Sequence, residues 1–332
     1  MMQPHQSVIV SGRVRLARNY HDIPFSTQKK PENALLCIAR ARKGLETLER
    51  EHDLYQLNAM PQIERIKLVE KHLISRDLLK NADNGAALIS ADKRISVMIN
   101  EEDHLRIQAI SDGTALHEIA KIAFEVEEAL EDICTFSYDP QLGYLTSCPT
   151  NTGTGMRASL MMHLPMLTRC KQMGSVNQSI AKLGLTIRGI YGEGSEALGD
   201  LYQVSNQVTL GRTEEEIIDA VTAVGKKMMD LELTLRQKAL KEKGSEFTDN
   251  LWRSYGLLRY ARRMDEKEFM LHWSNLRLGA CLELFPLSLT TIDELLTIAQ
   301  NAHATRYGEE TDQNLTTEQA RCEIIRKTLP SL

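Results

Sequence analysis

Residues 11–18 read Ser-Gly-Arg-Val-Arg-Leu-Ala-Arg, a short basic segment close to the amino terminus. In an extended chain successive side chains point to opposite faces, so Arg13 and Arg15 share one side. Two guanidinium groups on one face make a fitting clamp for a polyphosphate, because each presents a planar fork of N–H donors. The alternative interpretation is a basic edge strand whose charges are simply solvated.

A second segment has an apolar run that ends abruptly in ionisable residues. Val97-Met98-Ile99 is followed by Asn-Glu-Glu-Asp-His-Leu-Arg at residues 100–106. Catalytic groups are commonly presented where regular structure ends. Neighbouring carboxylates also raise one another's pKa, which can make one of them a base. The alternative interpretation is an exposed acidic turn.

The third segment is rich in glycine and is followed by two arginines. It reads Cys-Pro-Thr-Asn-Thr-Gly-Thr-Gly-Met-Arg-Ala-Ser at 148–159, and Arg-Gly-Ile-Tyr-Gly-Glu follows at 188–193. Gly153 and Gly155 would let the backbone approach an anion closely. The sequence has neither a Walker lysine motif nor the motif set of protein kinases. Phosphate binding is therefore expected to depend chiefly on Arg157, Arg188 and the other arginines.

The remaining patterns predict an α+β fold. Helical periodicity at 32–56, 61–80 and 114–132 alternates with strands at 87–89, 95–99, 143–147 and 185–190. A capping box at Thr213 opens a helix expected to run to about Lys243, where Gly244 and Ser245 interrupt it. Only helical patterns follow, at 248–263, 266–282, 289–300 and 316–328. We expect one domain over 1–236 and an all-helical domain over 237–332.

Composition limits the class of protein. The chain has 332 residues, 42% hydrophobic and 26% charged, which is typical of a soluble globular protein. A net charge of -5 argues against a general nucleic-acid binder. No apolar run is long enough for a membrane span or a signal peptide. The six cysteines form no Cys-x-x-Cys pair, so we expect free thiols, no zinc site and a cytoplasmic location.

Taken in order, four motifs resemble those of the phosphagen (ATP:guanidino) kinase family. They are Arg-Val-Arg-Leu-Ala-Arg at 13–18, Asn-Glu-Glu-Asp-His-Leu-Arg-Ile at 100–107, the glycine-rich segment at 148–159 and Arg-Gly-x-x-Gly-Glu at 188–193. The stretches 68–75, 191–196 and 253–256 are similar to the bacterial protein-arginine kinase branch. The resemblance covers about residue 8 to the carboxyl terminus.

The resemblance implies a fold and a set of site residues. The fold is a phosphagen-kinase-type catalytic domain, an antiparallel sheet flanked by helices, followed by an all-helical domain for dimerisation and regulation. The implied catalytic residues are Glu102, Glu193 and Cys148, although Cys148 could instead be a small buried hydrophobe. The implied ATP-binding residues are Ser11, Gly12, Arg13, Val14, Arg15, His72, Arg106, Arg157, Ala158, Ser159, Leu160, Met161, Arg188, Gly189, Ile190, Tyr191, Gly192 and Glu193.

These residues suit phosphoryl transfer to a guanidinium group. A guanidinium is a poor nucleophile because its lone pairs are delocalised, and two carboxylates can orient it and remove a proton. We expect Glu102 to be the base and Glu193 the orienting group. Arginines would neutralise the transferring phosphoryl group. Mg²⁺ would be held mainly by the phosphates and water, since the sequence has no dedicated aspartate cage for a metal.

The expected activity is ATP-dependent phosphorylation of arginine side chains in proteins. Small-molecule members of the family carry a helical domain before the first arginine motif, whereas here that motif begins at residue 11. The site would then admit an exposed arginine of a protein substrate. The alternatives are a kinase for free arginine or another small guanidine, and an inactive adaptor that binds phosphoarginine or a partner. The resemblance also implies a role in stress response and protein quality control, with an activator protein and a Clp-type protease as partners.

Two expectations concern the helical domain. The resemblance implies a homodimer, with an apolar surface drawn from Tyr255, Leu257, Leu258, Leu276 and Leu278, unless these side chains pack only inside their own chain. The family's phosphoarginine-binding motif, Arg-Asp-x-x-Arg-Ala, is matched only by Thr317, Glu318 and Arg321. We expect this degenerate site to bind phosphoarginine weakly.

Overall fold

The computed structural model describes residues 7–25, 30–113, 115–189, 197–311 and 314–331. Its strands are β1 (Ile9–Arg18), β2 (His52–Gln56), β3 (Ala86–Ser90), β4 (Ile95–Ile99), β5 (Leu105–Asp112), β6 (Tyr138–Asp139), β7 (Gly143–Tyr144), β8 (Met156–His163), β9 (Leu185–Gly189) and β10 (Leu201–Asn206). Eight of them form one sheet in the order β2-β3-β4-β5-β1-β8-β10-β9, and β6 pairs with β7. Every pairing is antiparallel, which confirms the expected α+β class.

The helices lie on both sides of the sheet and beyond it. They are α1 (Pro31–Leu45), α2 (Gln62–Glu70), α3 (Arg76–Lys80), α4 (Leu116–Glu131), α5 (Pro165–Arg169), α6 (Met173–Ala181), α7 (Glu214–Tyr260), α8 (Glu266–Cys281), α9 (Leu289–Ile298), α10 (Asn301–Glu310) and α11 (Thr317–Thr328). None of the helices in the described ranges is long and apolar enough to cross a lipid bilayer.

Strand β1 lies inside the sheet, between β5 and β8. The interpretation of residues 11–18 as a basic edge strand is therefore wrong. Alternation along β1 places Val14 and Leu16, both fully buried, on a face covered by α1, α4 and α7. Arg13 and Arg15 point to the opposite face, which is only partly covered, by the α2–α3 segment. Burial of Val14 and Leu16 in the core therefore places Arg13 and Arg15 on the opposite face of the sheet.

Helix α7 is continuous from Glu214 to Tyr260, so the predicted interruption at Gly244 and Ser245 is wrong. A glycine inside a helix costs about 1 kcal/mol relative to alanine, and this cost is tolerated because α7 packs along its length. The first part of α7 packs against the sheet, and its last part joins a second hydrophobic cluster with α8, α9 and α11. The helix therefore crosses the expected boundary between residues 236 and 237.

Other differences from the sequence patterns arise from tertiary packing. The helix expected over 32–56 ends at Leu45, and residues 52–56 form β2, which pairs with β3. Strands β5, β6, β8 and β10 and helices α5, α6 and α10 were not predicted. Strands β5 and β8 flank β1, and their polar–apolar alternation lies inside stretches that were interpreted as site motifs and not as strands.

The apolar residues expected to form a dimer surface are mostly internal. Tyr255, Leu258, Leu276 and Leu278 are buried in the second cluster, whereas Leu257 is 45% exposed. The expectation of an apolar surface built from these five residues is therefore wrong for four of them. They are used instead to hold α7 and α8 together within the chain.

Arg18, the third arginine of the first motif, is part of this structural framework. Its side chain is buried and its Nε donates to Glu127 on α4 at 2.5 Å, while its Nη1 donates to the carbonyl oxygens of Ala17 and Thr154. Its guanidinium also lies 3.5 Å from the centre of the Tyr144 ring. Arg18 therefore joins β1 to α4 and to the segment that leads into β8.

We expect Glu127→Ala to lower the free energy of unfolding by about 3–5 kcal/mol, because removing one partner leaves the buried guanidinium of Arg18 uncompensated. Urea denaturation measures this. The matched control is Glu128→Ala, at the neighbouring but exposed position of α4, which should change the free energy by less than about 0.5 kcal/mol. Equal midpoints for the two variants would contradict this role of Arg18.

Candidate active site

The arginines named from the sequence converge on one face of the sheet. In the strand register Arg15 lies opposite Arg157 of β8 and Gln108 of β5, and Arg106 of β5 lies opposite Ala17. Directly opposed residues in antiparallel strands share a face. Met161 lies on the same face of β8 as Arg157, and it is opposite Gln203 of β10. Gln203 is in turn opposite Arg188 of β9, so Arg188 also lies on this face. We call this side of the sheet the arginine face.

The charges on the arginine face repel one another. Burial, together with the nearby charges of Arg106 and Arg157, lowers the pKa of Arg13 to about 10. Burial also holds the pKa of Arg15 well below its usual value, with Arg13, Arg106 and Arg157 adding to the effect. A cluster of cations with this many neighbours is suited to a polyanion, because only negative charge relieves the repulsion.

Unused donors on the same face indicate where a ligand fits. The Nε atom of Arg15 and the Nε2 atom of Gln203 are buried and have no hydrogen-bond partner among the described residues. Buried donors are normally paired, since an unmade hydrogen bond is costly. Phosphate oxygens would satisfy both donors. The residues present therefore fit the triphosphate of a nucleotide.

The acidic block after β4 is mostly structural. Glu101 is buried and accepts hydrogen bonds from Arg106 Nη1 at 2.6 Å and from Ser75 Oγ. Asp103 is buried and accepts from Asn19 Nδ2 and from the Ser147 backbone N–H, each at 2.7 Å. The interpretation of this block as an exposed acidic turn is therefore wrong for these two carboxylates.

His104, the last ionisable residue of the block, is also internal. Its ring accepts from the backbone N–H of Tyr20 at 3.1 Å and lies 3.0 Å from the carbonyl oxygen of Pro24. His104 thereby ties the segment after β1 to the start of β5. It is a structural residue, although the sequence pattern did not distinguish it from a catalytic one.

Glu102 differs from its neighbours because its side chain is 43% exposed. One carboxylate oxygen lies 3.8 Å from Arg106 Nη2, and the Cys148 thiol is close enough to the carboxylate to lower its pKa slightly. Partial burial raises the pKa of Glu102, Asp103 and Glu101 add to the increase, and Arg106 opposes it. A raised pKa makes this carboxylate a better proton acceptor in its ionised form.

Cys148 lies beside Glu102 at the edge of the arginine face. Its Sγ is 3.0 Å from Thr150 Oγ1, and the residue is partly exposed. The alternative that Cys148 is a buried small hydrophobe is therefore wrong. The thiol, the exposed carboxylate and Arg106 form one group at the end of β1 where residues 17 and 18 lie.

The two glycines of the third motif serve the fold instead of an anion. Gly153 has φ +116, and a Cβ there would meet the backbone of Thr209 at 2.6 Å. Gly155 has φ +61, and a Cβ there would collide with Arg18 and with the carbonyl oxygen of Ala17. Both positions require glycine because two other parts of the chain approach the backbone. We expected these glycines to let the backbone approach a phosphate group. Their backbone instead lies against Thr209, Arg18 and Ala17.

His72 marks the other end of the arginine face. It adopts a left-handed conformation (φ 56) after α2 and lines a small cavity together with Ser11, Arg13, Ile110, Ser159, Met161 and Gln203. The carbonyl oxygen of His72 accepts from Gln108 Nε2 at 2.8 Å. Burial, with the charges of Arg13 and Arg76, lowers the pKa of His72 to about 4. The ring is therefore neutral at physiological pH.

The remaining residues of the expected ATP site are not all on this face. Gly12, Val14, Ala158 and Leu160 are buried on the apolar face, where a Cβ at Gly12 would meet Ile119 of α4. Their side chains cannot reach a ligand on the arginine face. Gly189 is the buried last residue of β9. Ile190, Tyr191, Gly192 and Glu193 lie outside the described residues.

Some members of the candidate site were not predicted from the sequence. Gln108 and Gln203 lie on the arginine face, and Ser75 holds Glu101. Strands β5 and β10 were not identified from the sequence, so the face on which Gln108 and Gln203 lie was not predicted. Within the described part of the chain, the group of side chains that could hold a metal ion is His21, Asp22 and Cys134, and Asp22 is already paired with Arg40 of α1.

The expected phosphoarginine site is not an open pocket. Arg321 is 1% exposed and donates to the carbonyl oxygens of Ala299 at 2.7 Å and Met264 at 2.8 Å, and to Asn301 Oδ1. Glu318 is paired with Arg263, and Thr317 is bonded to Thr305. Arg321 therefore holds the ends of neighbouring helices together.

Comparisons with known proteins identify the family of both parts of the chain. A family model described as ATP:guanido phosphotransferase, C-terminal catalytic domain, matches residues 37–235. A model described as Protein-arginine kinase McsB C-terminal domain matches residues 244–332. The chain is 43% identical to a protein-arginine kinase of Caldanaerobacter subterraneus subsp. tengcongensis, with 93% of each chain covered. It is 40% identical to a protein-arginine kinase of Staphylococcus haemolyticus, covering 96% of this chain and 93% of the relative.

The solved structures that match share the fold over 70–72% of this chain. Substrate-free duplicated taurocyamine kinase from Schistosoma mansoni is 28% identical with a TM-score of 0.61, covering 72% of this chain and 36% of that chain. The structure of the same kinase with bound components of a transition-state analogue gives a TM-score of 0.63 over 72% of this chain and 35% of that chain. Lombricine kinase, at 23% identity and a TM-score of 0.61, is similar in fold.

We expect His72 to make stability fall as the pH decreases. The folded state keeps the ring neutral until the pH approaches its pKa of about 4, whereas the unfolded chain takes up a proton near pH 6.5. The stabilisation is present above pH 6.5, and about 2 kcal/mol of it is lost between pH 7 and pH 5. Urea unfolding of the wild type and of His72→Asn, which tolerates the left-handed conformation, measures the difference. Equal losses in the two proteins would contradict the buried, neutral state of His72.

Proposed function

The chain belongs to the protein-arginine kinases of the ATP:guanido phosphotransferase family, and on that premise we propose that it phosphorylates arginine side chains of other proteins. The phosphoryl donor is ATP, bound as its magnesium complex. One observation carries the proposal for this chain: a face of mutually repelling arginines ends at an exposed carboxylate with a raised pKa. Such a face binds a triphosphate, and the carboxylate beside it can act on the acceptor.

The proposed reaction follows from the order of groups along the arginine face. A guanidinium nitrogen attacks the γ-phosphorus, the new N–P bond forms, and the bond from the γ-phosphorus to the bridging oxygen of ADP breaks. Glu102 orients the guanidinium and accepts the proton that the attacking nitrogen loses. Arg106 lies between Glu101 and Glu102 and is positioned to stabilise negative charge on the transferring group.

Two further parts of the proposal come from the family resemblance. Glu193 is proposed as the second carboxylate that holds the guanidinium. Mg²⁺ would neutralise charge on the phosphates and is held mainly by their oxygens and by water. Glu101, the buried carboxylate next to the site, is already bonded to Arg106 and Ser75, which fits a metal carried by the substrate.

Two other functions make different predictions. A kinase for free arginine or another small guanidine would need the same arginine face, and an inactive adaptor would bind phosphoarginine or a partner without transferring phosphate. The test supplies radiolabelled ATP with free arginine or with casein. Label on casein that is stable to alkali and lost in acid supports the proposal. Transfer to free arginine alone would favour the first alternative, and no transfer to either would favour the adaptor.

We further propose a catalytic domain over 1–236 and a helical domain over 237–332 that dimerises the enzyme. Helix α7 presents Trp252, Leu257 and Tyr260 to solvent, with exposures of 44%, 45% and 66%. We propose that these three side chains contact a second copy of the chain. A monomer by light scattering at micromolar concentration would overturn this assignment.

The cellular role is proposed on resemblance alone. We infer a cytoplasmic enzyme that marks proteins for quality control during stress, together with an activator protein and a Clp-type protease. Neither nucleic acid nor a membrane is proposed as a partner. Phosphoarginine on proteins recovered from cells with and without the enzyme, before and after heat stress, would test this role.

Glu102→Gln should reduce turnover on the order of 10²–10⁴-fold, because the amide cannot accept a proton from the attacking nitrogen. ATP affinity should stay the same or increase, since the arginine face is intact and one negative charge is removed. Single-turnover transfer and calorimetric ATP binding measure the two effects. The matched control, Glu128→Gln on α4, should leave both unchanged. Near-normal turnover of Glu102→Gln would remove Glu102 as the base.

Free phosphoarginine should bind the helical domain weakly and stimulate the kinase little. The three guanidinium nitrogens of Arg321 already donate to Ala299, Met264 and Asn301. Losing one charge-assisted contact makes the free energy of phosphoarginine binding less favourable by roughly 1.5–3 kcal/mol. Calorimetric titration decides the question, and Arg321→Ala should lower the melting temperature without changing the titration. Micromolar affinity with clear activation would contradict the prediction.

A further inference from the structure

A cavity of about 950 Å³ lies where the sheet meets the helical region. One wall comes from the sheet and the segments beside it, with Ser11, His72, Asp112 and Met161. The other wall comes largely from α9, with Leu289, Thr290, Asp293, Glu294, Leu296 and Thr297. This cavity shares Ser11, His72 and Met161 with the small cavity that contains Arg13 and Gln203. The arginine face therefore continues directly into the junction.

The direction of β1 determines which end of a nucleotide would reach the cavity. Glu102 and Cys148 lie near Arg106, which is opposite Ala17, whereas the cavity begins at Ser11. Six residues of strand separate Ser11 from Ala17, or about 20 Å at 3.3 Å per residue. The γ-phosphate must lie beside Glu102 in the proposed reaction. The base and ribose of the same nucleotide then lie toward Ser11.

The charges of the cavity agree with this direction. Its ionisable lining residues are Glu70, His72, Asp112, Arg277, Asp293 and Glu294, and the guanidinium of Arg277 is paired with Asp293 at 2.7 Å. The surroundings are therefore acidic and unsuited to phosphate groups. Carboxylate and hydroxyl side chains are suited to the hydroxyls and nitrogens of a nucleoside.

We propose that helix α9 forms the outer wall of the nucleoside subsite, so that the helical region is part of the ATP site. Thr290, Glu294 and Thr297 are spaced by four and three residues and share one face of α9, which is the face that lines the cavity. Thr290 and Glu294 are exposed, and Glu294 forms no hydrogen bond or ion pair within the described ranges. The inference rests on the proposed function, because it requires ATP on the arginine face.

The same junction connects the subsite to the rest of the helical region. Glu70, on the cavity wall, accepts from the backbone N–H of Ala302 at 2.6 Å and of His303 at 3.1 Å, and so caps the amino end of α10. His72 follows Glu70 by two residues and lines both cavities. Movement of α9 and α10 relative to the sheet would therefore change the shape of the nucleoside subsite.

The test separates the nucleoside from the phosphates by using two probes. ATP should require both the cavity and the arginine face, whereas inorganic tripolyphosphate should require only the arginine face. Thr297→Trp and Thr290→Trp place a large side chain in the cavity from two positions of α9. The matched control is Thr234→Trp, at an exposed position of α7 that does not line the cavity.

We expect both cavity variants to weaken ATP binding at least tenfold while tripolyphosphate binding changes less than twofold. The KM for ATP should rise at least tenfold with kcat within twofold, because α9 contacts the part of the nucleotide that does not react. The control should match the wild type in every measurement. A merely structural role of α9 would weaken both probes together.

Two outcomes would overturn the inference. ATP affinity within twofold of the wild type in both cavity variants would place the nucleoside elsewhere. Equal weakening of ATP and tripolyphosphate would show that α9 supports the fold and does not contact the nucleoside. If the wild-type protein bound neither probe, the proposed function itself would fail, and that result is distinguishable because it does not depend on the α9 variants.

Discussion

Electrostatic repulsion among the arginines of β1, β5 and β8 is the constraint on which the rest of the site depends. Arg13 and Arg15 alternate with Val14 and Leu16, which are fixed in the core beneath α4. The backbone positions of the two arginines are therefore fixed, and both side chains start from the same face of the sheet. Their lowered pKa values reflect this enforced proximity and burial. A bound triphosphate would remove the repulsion without reorganising the protein, which is the preorganisation that phosphoryl transfer requires.

Among the described residues, some of these arginines are paired with a carboxylate and others are not. Arg18 has a buried carboxylate partner in Glu127, and Arg106 is held by Glu101. Neither Arg13 nor Arg15 forms an ion pair among the described residues. The same short motif thus supplies one arginine that stabilises the fold and two that are left for an anion. The difference arises because Arg18 points to the helical side of the sheet, where α4 supplies Glu127.

The junction between the sheet and the helical region is a packed interface and not a flexible link. Helix α7 runs through both hydrophobic clusters. Arg236 of α7 and Arg277 of α8 both donate to the carbonyl oxygen of Ser7, just before β1, and Glu70 caps α10. These contacts place α9 beside the end of β1, so that the shape of the proposed nucleotide site would depend on the helical region.

Sequence patterns predicted the α+β class, the helical carboxyl-terminal part, and the arginines and Glu102 of the candidate site. Each of these depends on local chemistry: alternation along a strand, helical periodicity, a capping box, and motifs long enough to carry a resemblance. Only the tertiary structure distinguished residues that look alike in the sequence. Glu101 is buried and bonded to Arg106 and Ser75, whereas Glu102 is exposed. Arg321 donates to carbonyl oxygens from two other segments. The cavity beside α9 was likewise decided only by folding, because its walls come from residues that are far apart in the chain.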